Sequence, residues 1–300
     1  MSAPQIPKRH HYIAEQLQKR FVDHDGWLYA YDERHLDIGI RRTKPRDVFV
    51  EGHLYSQIAA NGAKDVALEL AFSKLEGEID PVIEKIVTAA RQREKPSLTP
   101  DEKRAWDIFF YYQWKRVPDR RSRTEFNFEE SLNETVREYE AKVRPLTASE
   151  RASIESPAEK ARLLQNAWVT ATGLAGEDAL DALAQRGLGI ILIEKSNCSF
   201  VIGSSPIVKF THPGRTDLRD PTVEMWMPIA YDVAVTTYGI AGEEQMGPAD
   251  PERHVRNINS AIFEQSTVVA SRSEKLIASL LRKRQNVTKL ANLERATLTP

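Results

Sequence analysis

The chain has 300 residues, 41% of them hydrophobic and 28% charged, with 42 basic side chains against 43 acidic ones and a formal charge of −1. Such a composition can fill a core and excludes a disordered polyelectrolyte. Its charge balance excludes a whole-molecule field that would draw in nucleic acid or an acidic membrane, so any such attraction must be local. The single cysteine, Cys198, excludes an intramolecular disulfide and a cysteine-based zinc centre, and suits a reducing compartment.

The opening MSAPQIPKRH has no apolar leader, and the longest apolar run, LGIILI at 188–193, is too short to span a bilayer. A soluble, cytoplasmic protein with no membrane partner is expected. Residues 1 to about 10 read as a loose arm. YIAEQLQKRF then sets Ile13, Leu17 and Phe21 on one helical face, with Gly26 as the breaker. Trp27 to Tyr31 alternates as a strand, and LDIGIRRTK follows a turn at 32–35 as a second, which predicts a hairpin. KPRDVFVEGHLYS reads as irregular, broken by Pro45.

From Lys64 to Arg93 the apolar rhythm is helical, and Pro81 should kink or divide it. Thr99, Pro100 and Glu102 form a capping box for a helix through AWDIFFYYQWKR that ends before Pro118. Further helices are expected in ESLNETVREYEAKV, in SPAEKARLLQNAWVTATG with Ser156 as cap, and in EDALDALAQRG. Beyond Gly187 come short β-branched runs, LGIILIEK, SFVIG, PIVKF, MWMPIA and DVAVTTYG. They lie too close together for helical crossovers and read as an antiparallel sheet. Two helices, PERHVRNINSAIFEQ and SEKLIASLLRKR, surround a last strand, TVVAS, and the polar tail after Asn286 is expected to be loose. The fold class is α+β: an N-terminal β-hairpin unit (1–60), a helical middle (61–187) and a C-terminal antiparallel sheet with flanking helices (188–300), forming one compact domain.

The stretch KRHHYIAEQLQKRF sets two of the seven histidines side by side. Adjacent side chains diverge by about 100° on a helix and point to opposite faces of a strand, so His10 and His11 are poorly placed to ligate one ion. No HExxH or HxH pair is present, and further ligands would have to come from His53, Glu51 or Asp25. No metal and no cofactor are expected. An HNH-type nuclease reading fails because a helix pattern, with no Asn and second His at suitable spacing, follows the pair. The plain alternative is a solvated loop leading into a helix.

The remaining reading is a metal-free acid/base or phosphate-handling site. Lys8, Arg9, His10, His11, Tyr12, Lys19 and Arg20 bring cations, proton carriers and a phenol into one short stretch. Imidazole titrates near neutral pH and suits proton transfer, and lysine and arginine stabilise anionic transition states. Tyr29, Arg41, Arg42, Lys44 and Tyr55 follow, with Trp27 or a tyrosine able to stack a base. A second basic cluster, WKRVPDRRSR, runs from Trp114 to Arg123. A helix C-terminus favours cations and accounts for Lys115 and Arg116, but less well for Arg120 to Arg123. There is no P-loop, no GxGxxG and no GxSxG. The GSSP turn at 203–206 offers hydroxyls without an identifiable base, and Cys198 reads as a small buried hydrophobe.

HHYIAEQLQKRF, GWLYAYDER, KPRDVFVEGHLY and FSKLEGEIDPVI together resemble the mainly bacterial domain-of-unknown-function family 4238 (DUF4238). YYQWKRVPDRR is similar to that family's helix ending in Arg-x-Pro, and SFVIGSSPIV to its strand and turn. MWMPIAYDVAVTTYG and VRNINSAIFEQSTVVAS, with Asn259, are similar to its last blocks. The resemblance covers most of the chain, and Ala14 and Ser204 depart from the family's usual Pro and Asp. It implies that His10, His11, Tyr12, Lys19, Tyr29, Lys44, Tyr55, Glu76 or Glu78, Arg116 and Arg120 share a pocket for an anionic ligand. The expectation is therefore a metal-independent hydrolase or nuclease acting on RNA or nucleotides, with a defence or toxin-like role. His10, His11, Tyr12 and Glu76 would be catalytic, and Lys19, Tyr29, Lys44, Tyr55, Arg116 and Arg120 would hold substrate. A non-catalytic sensor that binds an anion in the same pocket is the alternative. A structural protein whose basic clusters form internal ion pairs is a third. If Asp is catalytic in the family, Ser204 implies an altered activity.

Overall fold

The computed structural model describes residues 10–195 and 197–297, with side chains for all of these except 122–127 and 287–297. Most of the expected N-terminal arm, including Lys8 and Arg9, lies outside the described residues, as does the side chain of Arg123.

The N-terminal segment holds β1 (His10–His11), α1 (Glu15–Gln18) continued by a 3-10 turn at Lys19–Phe21, β2 (Leu28–Asp32), β3 (Arg41–Thr43), β4 (Val50–Glu51), β5 (Gln57–Ile58) and β6 (Lys64–Asp65). Ile13, Leu17 and Phe21 are fully buried, so the apolar stripe read at i, i+4 and i+8 is the docking face of this short helix. Strand β2 alternates between buried and half-buried residues and pairs antiparallel with β3. Within the region read as irregular, β4 pairs with β1, setting His10 opposite Glu51 and His11 opposite Val50.

The middle segment contains α2 (Ala67–Gln92), α3 (Pro100–Lys115), α4 (Arg121–Lys142), α5 (Ala148–Glu155), α6 (Pro157–Gly173) and α7 (Glu177–Ala184). Helix α2 continues through Pro81 instead of dividing there. The carbonyl that loses its donor is that of Gly77, four residues back. Thr99 caps α3 with a complete capping box, and the Ser156 hydroxyl accepts from the Glu159 N–H at the head of α6.

The C-terminal segment holds β7 (Gly187–Leu192), β8 (Ile202–Gly203), β9 (Val208–Phe210), β10 (Glu224–Pro228), β11 (Val233–Tyr238) and β12 (Glu244–Pro248). A π-turn at 251–256 follows, then α8 (Asn257–Gln265), β13 (Val268–Ser271) and α9 (Glu274–Thr297). Two sheets form where one was expected. The larger has the order β12-β7-β11-β10-β9, and β12 runs parallel to β7. The segment from β11 through the 239–243 turn returns to the far side of β7, so a parallel edge needs no helical crossover. The second sheet has the order β3-β2-β13-β8 and joins the N-terminal hairpin to the last strand. The tail after Asn286, expected as loose, continues α9.

The architecture is mixed α+β, with strands at the N-terminus, helices in the middle and a C-terminal sheet flanked by helices. One hydrophobic cluster runs through all three segments, from Ile13 and Phe21 through Ile86 and Phe110 to Val233 and Val235. Among the described residues, no helix is long and apolar enough to cross a membrane.

Candidate active site

A cleft of about 240 Å³ opens between β1, the head of α1 and one face of α2. His10, His11, Glu15, Tyr55, Glu69 and Glu76 line it, with Phe72 and Ser73 between the last two. Residues 69, 72, 73 and 76 fall at the i, i+3/i+4, i+7 spacing, so α2 turns one stripe toward the histidines.

His10 Nε2 stands 2.6 Å from Glu69 Oε2, with both side chains largely buried. Glu69 is in the first turn of α2, where the positive end of the helix dipole favours a carboxylate. Its Oε1 accepts from the Ser56 hydroxyl at 2.9 Å, and the Tyr55 N–H also bonds it. Burial nevertheless dominates and holds the Glu69 carboxyl above its ordinary range. The His53 ring stands 6.2 Å from that of His10. Phe49 and His53, both left-handed at φ 55° and 54°, bracket the strand that pairs with the histidines. Two strained non-glycine residues beside one short strand mark a segment that its surroundings hold firmly in place.

His11 is fixed differently. Backbone hydrogen bonds to Pro45 and Arg46 engage its ring, and Nε2 is buried without a hydrogen-bond partner among the described residues. Desolvation lowers its pKa, against the raising influence of Glu15 and Glu76. A neutral ring that donates one N–H to a backbone carbonyl leaves the other nitrogen as a lone-pair base.

Glu76 is tied to the floor of the cleft. Arg116 Nη2 bonds Glu76 Oε1 at 2.5 Å and Gln113 Oε1 at 3.1 Å, and the guanidinium lies 4.9 Å over the Phe72 ring. Gln113 in turn donates to the Tyr12 carbonyl at 3.0 Å, and the Tyr55 hydroxyl donates to the Arg116 carbonyl at 2.9 Å. Arg116 is only 1% exposed, and its Nε and Nη1 have no hydrogen-bond partner among the described residues. Burial holds the Tyr55 phenol protonated.

Of the residues expected to share a pocket, the fold brings together His10, His11, Tyr55 and Glu76, with Arg116 directly behind them. Tyr12, Lys19, Tyr29, Lys44 and Arg120 do not line the cleft. Tyr12 turns its ring edge-on to Phe49 in the core, and burial holds its phenol protonated. Lys19 is exposed and pairs with Glu15 at the rim. Tyr29 is in β2 opposite Ser271 and Arg42. Lys44 packs 3.8 Å over the Trp27 ring and donates to the Asp25 and Gly26 carbonyls. Arg120 packs 4.3 Å over the Trp114 ring. Lys44 and Arg120 are thus engaged on aromatic faces, and Lys44 on carbonyls as well, where a guanidinium or ammonium finds partners as good as a ligand.

Glu69 is the residue that a search for cations and histidines misses, although its spacing of seven from Glu76 placed it on the same helical face. Ser204 is also away from the cleft. Its N–H donates to the Val268 carbonyl and its hydroxyl accepts from the Val268 N–H, while Asp119 binds the N–H and hydroxyl of neighbouring Thr267. Asn259 likewise bridges Val201 and Ser199 through their backbones. Ala14 has φ −50°, a value proline adopts, so its departure from the family's Pro leaves the entry to α1 unchanged. Among the described residues, no three His, Cys, Asp or Glu side chains converge as a metal-ligand group.

The fold and the cleft define an α+β protein with a histidine–carboxylate pair in a narrow recess. The chain belongs to the DUF4238 family, described as a protein of unknown function, whose model matches residues 9–277. No curated protein and no solved structure matches the chain.

Proposed function

We propose that the chain is a hydrolase that works by side-chain acid–base chemistry at His10 and His11 and cleaves phosphodiesters of RNA or nucleotides. The observation that carries this reading is the 2.6 Å contact of His10 with Glu69 inside a cleft that also holds His11. Glu69 fixes the His10 ring and compensates the charge of an imidazolium, as the carboxylate of a catalytic triad does. His11, neutral with Nδ1 engaged, suits the base. In RNA the base takes the proton of the 2′-hydroxyl, that oxygen attacks phosphorus, and the acid protonates the departing 5′-oxygen. Two histidines suffice, with no further co-reactant. Each carboxylate of the cleft has its own basic partner, Glu15 with Lys19, Glu69 with His10 and Glu76 with Arg116, which moderates repulsion of a phosphate. The small volume suits one phosphodiester unit and disfavours a sensor for a larger anion.

End-labelled RNA, DNA and mononucleotides are the test, incubated with wild type, His10→Gln and Glu69→Gln, each with chelator and with divalent cations. The reading predicts RNA cleavage by the wild type in chelator and its loss in both variants. No turnover of any substrate, or turnover that survives both substitutions, would overturn it.

A further inference from the structure

A second cavity, of about 600 Å³, lies between the π-turn, α8 and α9 and differs from the cleft in its charge. Its walls carry Arg256, Arg272 and Lys283 against one carboxylate, Glu252, and that carboxylate already bonds Arg256 at 2.6 Å. Arg272 and Lys283 have no carboxylate within ion-pair distance among the described residues. Arg272 lies 4.0 Å over the Tyr231 ring, and Lys283 Nζ donates to the Ser260 hydroxyl at 2.8 Å. Both cations are held in place without being neutralised.

In a chain with as many acids as bases, two unmatched cations facing one cavity are unusual, because each raises the cost of the other. An anion between them removes that cost. The rest of the wall suits the same ligand. Ser199, Ser273 and Ser279 add hydroxyls. Helix α9 lines this wall along one side, through Leu276, Ser279 and Lys283. A guanidinium held over an aromatic ring, an ammonium and hydroxyls are groups that recognise a phosphate. The volume exceeds what a bare anion needs and falls in the range of small-molecule sites, and its polar lining suits a hydroxylated body.

We propose that this cavity binds a small phosphate monoester of nucleotide size, at a site separate from the histidine cleft. Calorimetric titration of the full chain with AMP, with inorganic phosphate and with uncharged adenosine tests it. AMP and phosphate bind, and adenosine does not. Arg272→Gln and Lys283→Glu each weaken AMP binding by roughly tenfold or more, the loss of one charge-assisted contact, while His10→Gln leaves it unchanged. Lys283 is solvent-exposed, so Lys283→Glu folds even if loss of the Arg272–Tyr231 contact impairs the other variant, and thermal melting checks both. The proposal is overturned if neither AMP nor phosphate binds at about 10 mM, the weak end of specific affinity. It is equally overturned if binding is insensitive to Lys283→Glu, or is lost in His10→Gln instead. Because RNA cleavage is read separately, either result stands apart from the hydrolase reading.

Discussion

The histidine cleft and the α8–α9 cavity treat charge in opposite ways. In the cleft, each carboxylate has a basic partner, a lysine, an arginine or an imidazole, and the group left over among the described residues is the His11 imidazole. In the cavity, one acid faces three bases and the groups left over are cations. A recess that neutralises itself is suited to moving protons, since its imidazoles can change charge against a balanced background. A recess that leaves cations unmatched is suited to holding an anion still. The difference teaches that counting basic residues along the chain is a poor guide to where an anion binds. What matters is which cations the fold has already paired.

Four changes test this contrast. The largest effect is expected from Arg116→Met, which strands Glu76 beside a buried floor. Stability should fall by about 3–5 kcal/mol, the cost of breaking a buried pair from one side, read by urea denaturation. Glu76→Gln in the same background should recover part of that loss, and no recovery would mean that Arg116 acts through packing alone. Next, His10→Gln should lower RNA turnover by roughly 10²–10⁴-fold, the usual contribution of a general acid or base, with a melting temperature close to wild type. An equal loss of folding would make the His10–Glu69 contact structural.

The third change sharpens the cleft by pH. Burial depresses the His11 pKa below its ordinary 6.5, so the folded state takes up that proton later than the unfolded one. The stability it contributes is full above 6.5 and is lost as pH falls from there through the lower, folded value. Glu69 runs the other way. Its carboxyl is raised above 4.5, so its contribution is full below 4.5 and is lost as pH rises through the folded value. Between pH 8 and pH 5, wild type should therefore lose more stability than His11→Gln, and between pH 4 and pH 7 it should lose more than Glu69→Gln. Denaturation curves at these four values decide, and parallel curves would remove His11 and Glu69 from the electrostatics of the cleft. The smallest effect belongs to Lys283→Glu without ligand, within about 0.5 kcal/mol of wild type, as for an exposed position. A larger loss on thermal melting would make Lys283 a structural cation.

Local features of the chain were legible because they rest on neighbours in sequence. The stripe of Ile13, Leu17 and Phe21, the Thr99 box and the Ser156 cap are all within one or two turns of their partners. The pairings of β13 with β2 and of β12 with β7 were not legible, since neither periodicity nor turn chemistry carries information on distant strands. The cleft was legible in part. The histidine pair stood out by composition, and Glu76 by resemblance. Glu69 did not stand out, because a glutamate in a charged helix looks solvated until a histidine is seen above it. Lys44 and Arg120 misled for the converse reason: a cation and its aromatic partner, Trp27 or Trp114, read separately as a ligand group and a core residue.

The sheet that joins β2 to β13 has a consequence in time. It pairs Tyr29 with Ser271, about 240 residues apart, and Asp119 reaches Thr267 beside it. Contacts of such long range form late, because a large loop must close before they gain anything. During synthesis β2 precedes β13 by about 240 residues, and the β2 edge that β13 covers stays open until that strand has been made.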